Sequence, residues 1–126
     1  MLSSGSPAET QQIDLIHAHA TGTEFNDSIE LAAYGDECTA GENAPLIYSH
    51  KGALGHSLGA SGLVSVVLNC LSHRTGTVPG NVRTTQPLTS NQVRISTEVQ
   101  RQVIRRSIAV AAGFGGAIAA VSLRSP

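Results

Sequence analysis

Aromatic residues are nearly missing from this chain: two tyrosines, two phenylalanines and no tryptophan among 126 residues. Because 40% of the residues are nonetheless hydrophobic, a core has to be assembled from Ala, Val, Ile and Leu. Charge is also scarce. With 13% Asp, Glu, Lys and Arg and a net charge of −1, there is no broad cationic surface for nucleic acid or anionic lipid. The two cysteines, Cys38 and Cys70, sit in unlike settings and form no CxxC, which argues against a disulfide framework and against a thiolate zinc site. The polar segment 1–12 lacks the charged start and apolar centre of a signal peptide, and no apolar run is long enough to span a membrane. The expectation is a cytoplasmic domain, residues 13–126, large enough for one core, with no membrane span and no nucleic-acid partner.

Two periods alternate along the chain. Ile13 to His19 reads as a strand with Ile13, Leu15, His17 and His19 on one face and Ile16 and Ala18 on the other. Asp27-Ser28-Ile29-Glu30 reads as a helix start, with Asp27 as N-cap, Glu30 reaching back, and Ile29, Ala32 and Ala33 on one stripe. Pro45 to Ser49 predicts a short buried strand. A helix from Leu58 to Arg74 should stop at Gly76 and, being apolar on almost every side, should be enclosed. Thr77 to Ser96 reads as a loop punctuated by Pro79 and Pro87, with a short strand at Val93 to Ser96. Arg106 to Ala112 and Ala117 to Leu123 predict an antiparallel hairpin around Gly113-Phe114-Gly115-Gly116. The sum is an α/β fold, a mixed sheet with packed helices and a C-terminal antiparallel hairpin.

Chemistry concentrates in the run from His50 and Lys51 through Gly55, His56, Ser57 and Gly59 to Gly62, at the mouth of the apolar helix. Upstream, His19 ends the first strand and opens the turn Ala20-Thr21-Gly22-Thr23. Two histidines and a lysine delivered by strand ends and a helix N-terminus read as half of an active site.

The ordered series His19-Ala20-Thr21-Gly22-Thr23, Asn26-Asp27, Lys51, Gly55-His56-Ser57-Leu58-Gly59-Ala60 and Gly113-Phe114-Gly115-Gly116 resembles the C-terminal part of a β-ketoacyl-acyl-carrier-protein synthase. These are the thiolase-like condensing enzymes of fatty-acid and polyketide synthesis, acyltransferases that join a malonyl thioester to an acyl thioester with loss of carbon dioxide. The resemblance covers Ile13 to Leu123 and implies a partial thiolase-like layer. It assigns His19 and His56 as donors of Nε2–H hydrogen bonds to the malonyl thioester carbonyl, with Lys51 as the third catalytic residue. Such a donor must be a neutral imidazole whose other nitrogen fixes the tautomer. By the same resemblance the backbone N–H of Phe114, flanked by Gly113 and Gly115, belongs to the oxyanion hole and acyl gate, and Thr21 and Thr23 hydrogen-bond a pantetheine arm. No cofactor of the protein's own is implied, since the 4'-phosphopantetheine arrives on the acyl carrier protein. The implied partners are that carrier, malonyl and acyl thioesters, and an N-terminal synthase half or a second copy of the chain.

The departures are specific. The nucleophilic cysteine of the family lies on an elbow of the N-terminal half, which this sequence does not contain. Asp36-Glu37-Cys38-Thr39-Ala40 mimics that motif at the end of the first helix, and Cys70 reads as a small core residue. Ser65 stands where the family has an acid to hold the lysine. Val110-Ala111-Ala112 replaces the usual Asn-Ser-Phe, and Ala117-Ile118 the usual Thr-Asn.

Other readings remain open. A non-catalytic truncated fragment, or one piece of a split synthase that associates with a cysteine-bearing N-terminal half, fits a chain that opens just ahead of its first motif strand. A metal-binding module could use His17 and His19 with His50 or His56, since alternate strand residues can chelate one ion. His17 otherwise reads as core filler. Gly52 to Gly55 beside Lys51 lacks the Gly-Lys-Ser/Thr ending of a phosphate-binding loop.

Overall fold

In the computed structural model, residues 12–38 and 40–126 are described. The proposed N-terminal segment 1–12 therefore lies, except for Gln12, outside the described residues, as does Thr39 of the cysteine-like motif.

The chain runs β1 (Leu15–His17), α1 (Glu24–Glu37), β2 (Leu46–Tyr48) and α2 (Lys51–Leu54), then a 3-10 turn (Leu58–Ala60) and α3 (Ser61–Thr75). The strands β3 (Thr77–Val78), β4 (Arg94–Ile95), β5 (Gln100–Arg101), β6 (Arg106–Ala112) and β7 (Ile118–Arg124) follow. The main sheet has the order β4-β2-β1-β6-β7, with β1 parallel to β2 and β6, β2 parallel to β4, and β7 antiparallel to β6. The predicted loop after α3 contains more order than its prolines suggested, because β3 pairs antiparallel with β5.

Side-chain alternation along β1 divides the core between the two faces of the sheet. Leu15 joins Leu46, Tyr48, Val78 and Ile104 on the face that Leu68 of α3 touches. Ile16 and Ala18 join Ile47 and Val93 on the other face, against Leu31 and Tyr34 of α1. The fully buried aliphatics Leu15, Leu46 and Ile104 each contribute about 1.5–3 kcal/mol of burial. Ile13 packs with the Ile16 group, so the strict alternation expected from Ile13 onward begins only at Leu15.

The expected start of α1 is corrected. The helix begins at Glu24 with Thr23 as N-cap, and Asp27 and Glu30 are interior. The stripe that packs is Leu31, Tyr34 and Cys38, while Ile29 is exposed. Glu30 serves the turn after β1 instead.

The enclosed helix is corrected as well. In α3 the buried residues are the polar ones, Ser61, Ser65, Asn69 and Ser72. Their small size lets the helix lie close on β6, whose Ser107, Ala109 and Ala111 share one face by alternation. Ala111 is near enough that a Cβ at Gly62 would meet its methyl at 3.4 Å. His73 fastens the helix end, its two ring nitrogens 2.8 Å from Ser125 Oγ and 2.9 Å from Ser107 Oγ. The apolar row Leu63, Val67 and Leu71 faces outward, 68%, 51% and 46% exposed, and Cys70 is exposed rather than core. Gly76 closes the helix as expected, in the left-handed region with φ 62° and its N–H on Ser72 O.

Candidate functional site

Since β1, β2 and β6 are parallel, their C-terminal ends lie at one end of the sheet, where ligands of such sheets gather. That end carries the turn after His17, the segment Ser49 to His56 after Tyr48, and the glycine hairpin after Ala112. His19, Thr21, Thr23, Lys51, His56, Gly113, Phe114 and Gly115 all sit on these three connections.

His19 and His56 meet. Their ring centroids are 5.5 Å apart and the planes stand at 80°, edge to face. His56 is exposed, and its Nδ1 accepts a hydrogen bond from the Leu58 N–H at 3.0 Å. Leu58 has φ 52°, a left-handed conformation costly for leucine, which turns that N–H back onto the ring. With Nδ1 occupied as an acceptor, the neutral ring carries its proton on Nε2. His19 is buried, 8% exposed, and its Nδ1 has no partner among the described residues. Burial and the nearby Lys51 charge hold its pKa below the ordinary histidine value, which keeps the ring neutral.

The backbone of His19 is clamped from both sides. Glu30 accepts the His19 N–H at 2.7 Å and the Ala20 N–H at 2.8 Å, and its carboxylate also receives the Tyr34 hydroxyl. The Lys51 ammonium donates to the His19 carbonyl. Burial lowers the Lys51 pKa, opposed by the charges of Glu30 and Asp27. The lysine thus finds its negative neighbours on α1. Ser65 is buried and donates to Ser61 O at 3.2 Å.

Thr21 and Thr23 are exposed with hydroxyls 3.2 Å apart. Thr21 and Lys51 also line a cavity of about 320 Å³ on the α1 face, with Glu30, Tyr34, Asn81 and Arg83. Asn81, which belongs to no sequence motif, stitches this end of the sheet. Its Nδ2 donates to Ile47 O and Ser96 O, and its Oδ1 accepts the Ser49 N–H. In the hairpin, the Gly113 N–H reaches Ala117 O at 2.7 Å, and Gly115 and Gly116 have φ of 83° and 86°. Phe114 at the tip is fully exposed and is not drawn over the histidines.

A second histidine pair, His17 and His50, lies close by, and His17 is not the core filler that the sequence suggested. His17 is fully buried between Asn69 Oδ1, 3.1 Å from its Nδ1, and His50 Nδ1, 2.9 Å from its Nε2. Burial lowers its pKa to about 4, with the hydrogen bond to Asn69 opposing and His50 and Lys51 adding to the shift. Burial likewise lowers the pKa of His50. The available signal was Asn69, a lone amide within an apolar helix that demands a partner. Among the described residues, no group of three or more His, Cys, Asp or Glu is placed to hold a metal ion. The His17 and His50 rings bond to each other instead of converging on a cation. No helix among the described residues is long and apolar enough to cross a membrane.

Known proteins resemble the chain along most of its length. The family described as beta-ketoacyl synthase, C-terminal domain, matches residues 3–85. The mitochondrial 3-oxoacyl-[acyl-carrier-protein] synthase of Arabidopsis thaliana is 32% identical over 120 residues, 90% of this chain and 26% of that protein. The 3-oxoacyl-[acyl-carrier-protein] synthase 2 of Mycobacterium bovis is 35% identical over 113 residues, 82% of this chain and 25% of that one. The chain thus spans about a quarter of the length of these curated relatives. Among solved structures, the ketosynthase from module 6 of the bacillaene synthase of Bacillus subtilis 168 superposes with a TM-score of 0.82. It is 23% identical, over 92% of this chain and 23% of that one, and shares the thiolase-like α/β fold.

Proposed function

This chain belongs to the β-ketoacyl synthase family through its C-terminal domain, and from that premise we propose that it supplies the two-histidine half of a decarboxylative condensing site. The observation that carries the reading is the meeting of His19 with a His56 ring whose Nδ1 is already an acceptor. A neutral His56 then offers Nε2–H, the donor that a developing enolate requires.

The chemistry follows from that donor. When a malonyl thioester loses carbon dioxide, the bond between its α-carbon and carboxylate breaks. The electron pair passes into the thioester, placing negative charge on the carbonyl oxygen. Two preorganised imidazole donors meet that charge without reorganising, and removing one such donor costs about 10²–10³ in rate. Lys51 and Glu30 hold the His19 peptide by its carbonyl and its N–H, so the ring does not drift when the thioester enters. The enolate carbon then attacks an acyl thioester, and the released thiolate is the leaving group.

That acyl thioester resides on a cysteine outside this chain. Cys38 packs half-buried at the end of α1, and Cys70 is exposed on α3, away from the strand ends that carry the histidines. We therefore place the nucleophile on an N-terminal synthase part that covers the outward row Leu63, Val67 and Leu71. The carrier protein's pantetheine arm runs past Thr21 and Thr23, and the Phe114 hairpin closes over the site once that part is present.

The test is release of carbon dioxide from malonyl-pantetheine, followed by mass spectrometry of the acetyl thioester. The chain is assayed alone and with the cysteine-bearing N-terminal part of a relative. Slow decarboxylation lost in both His19→Ala and His56→Ala supports the reading. Turnover that survives both substitutions, or no turnover even in the assembled pair, overturns it.

A further inference from the structure

The order of donors in the buried cluster can be read outward from a backbone group. The Ile108 carbonyl can only accept, so Asn69 presents Nδ2 to it, at 3.3 Å, and turns Oδ1 toward His17. His17 must then donate from Nδ1. That leaves its Nε2 as an acceptor, which the His50 N–H approaches at 3.4 Å and the His50 ring Nδ1 at 2.9 Å. His50 is accordingly the Nδ1–H tautomer. Each link rests on the one before, and all three side chains are at most 1% exposed.

The members of this chain sit where they can fix geometry. His17 ends β1, two residues before His19. His50 follows β2 and is the N-cap residue of α2, its carbonyl accepting the Ala53 and Leu54 N–H groups. Lys51 comes next, and His56 lies beyond α2. Asn69 belongs to α3, which packs across β6 and β1. One proton-ordered series therefore ties β6, α3, β1 and the β2–α2 connection together under the His19–His56 contact.

We propose that His17 and His50 are positioning residues: their ring-to-ring hydrogen bond latches the segment carrying Lys51 and His56 to the end of the strand that leads into His19, and so sets the spacing of the two site histidines. The proposal rests on reading His19 and His56 as the working pair, but its geometry can be measured without any activity. The latch is specific in proton count, since a second proton on His17 would face the Nδ1–H of His50.

The experiment is long-range proton–nitrogen NMR of the ¹⁵N-histidine-labelled chain at neutral pH, on wild type, His50→Ala and His50→Asn. The amide of His50→Asn offers an N–H near the position of the lost Nδ1–H. Expected are Nδ1–H tautomers for both His17 and His50 in wild type. The His19–His56 ring cross-peaks should be lost in His50→Ala and restored in His50→Asn. An Nε2–H tautomer at His50, or ring cross-peaks unchanged in His50→Ala, overturns the proposal. Should His50→Ala fail to fold, the wild-type tautomers and the His50→Asn cross-peaks still decide it. Tautomers and cross-peaks as expected beside a chain inactive toward malonyl thioesters would sustain the latch and remove only the reaction assigned to the pair.

Discussion

His19 and His56 come from different connections of the sheet and meet edge to face, 5.5 Å between ring centroids. The contact is asymmetric. The Nδ1 of His56 is committed to the Leu58 N–H, whereas Nδ1 of His19 is buried without a partner among the described residues. His56 therefore has a defined donor, and that definition can be probed by replacement. Glutamine carries an amide N–H at a comparable reach from the backbone but no ring to stack on His19. In the assembled enzyme, His56→Gln should retain a measurable fraction of malonyl decarboxylation, and His56→Ala should lose about 10²–10³-fold. Equal losses in the two variants would mean that the donor is not what His56 contributes.

Glu30 makes a separate prediction. Its carboxylate accepts the N–H groups of both His19 and Ala20 and the hydroxyl of Tyr34, so it organises the turn whose Ala20 sits at φ 26°. Hydrogen bonds to a charged group contribute about 1.5–3 kcal/mol each. Glutamine keeps one acceptor oxygen and places an NH₂ against a backbone N–H. Glu30→Gln should destabilise the fold by about 1–3 kcal/mol in urea denaturation, and the Ala20 amide should exchange faster with solvent. Unchanged stability together with unchanged exchange would show that the turn stands without the carboxylate.

The fold was legible where the physics is local. Period-two alternation gave β1, and glycines able to adopt positive φ gave the turn between β6 and β7 and the end of α3. The family series placed His19, Lys51 and His56 on the connections that bring them together. What escaped was set by tertiary choice. Asp27 and Glu30 have the spacing of a capping box, yet Glu30 is drawn to the two N–H groups of the β1–α1 turn and the helix starts three residues before Asp27. In α3, rows at i, i+4 and i+8 exist both as Ser61, Ser65, Asn69 and as Leu63, Val67, Leu71, and periodicity cannot say which faces the sheet. The polar row won because small side chains permit close approach to Ser107 and Ala111. The His17–His50 bond joins residues 33 positions apart, a contact that no local pattern encodes.

Stability should fall on mild acidification. In the folded state the pKa of His17 is lowered from 6.5 to about 4, so below about pH 6.5 the unfolded chain takes up a proton that the folded chain refuses. His17's contribution is therefore fully present above pH 6.5, declines as pH falls toward 4, and then levels off. Burial is the main cause of the shift; the hydrogen bond to Asn69 opposes it, and His50 and Lys51 add to the lowering. The loss approaches about 3 kcal/mol at the lower end, and the lowered values of His19 and His50 add in the same direction. Urea denaturation at pH 7 and pH 4.5 measures it. In His17→Gln, which has no proton to gain there, the difference between the two pH values should shrink. An unaltered difference would place the acid sensitivity elsewhere.

The outward row of α3 separates the stability of this chain from its assembly. Leu63, Val67 and Leu71 are 68%, 51% and 46% exposed, so charging one of them removes little burial from the folded chain. Substitutions at exposed sites usually change stability by no more than about 0.5 kcal/mol. If these side chains are the contact for a cysteine-bearing N-terminal part, covering them contributes about 1.5–3 kcal/mol each, and a buried unpaired charge reverses that gain. Val67→Glu should therefore leave the urea midpoint of the isolated chain near that of wild type while abolishing co-elution with the N-terminal part in size-exclusion chromatography. Complex formation that tolerates glutamate at position 67 would show that the partner docks elsewhere, and a large fall in the midpoint would show that Val67 is already buried in the isolated chain by self-association.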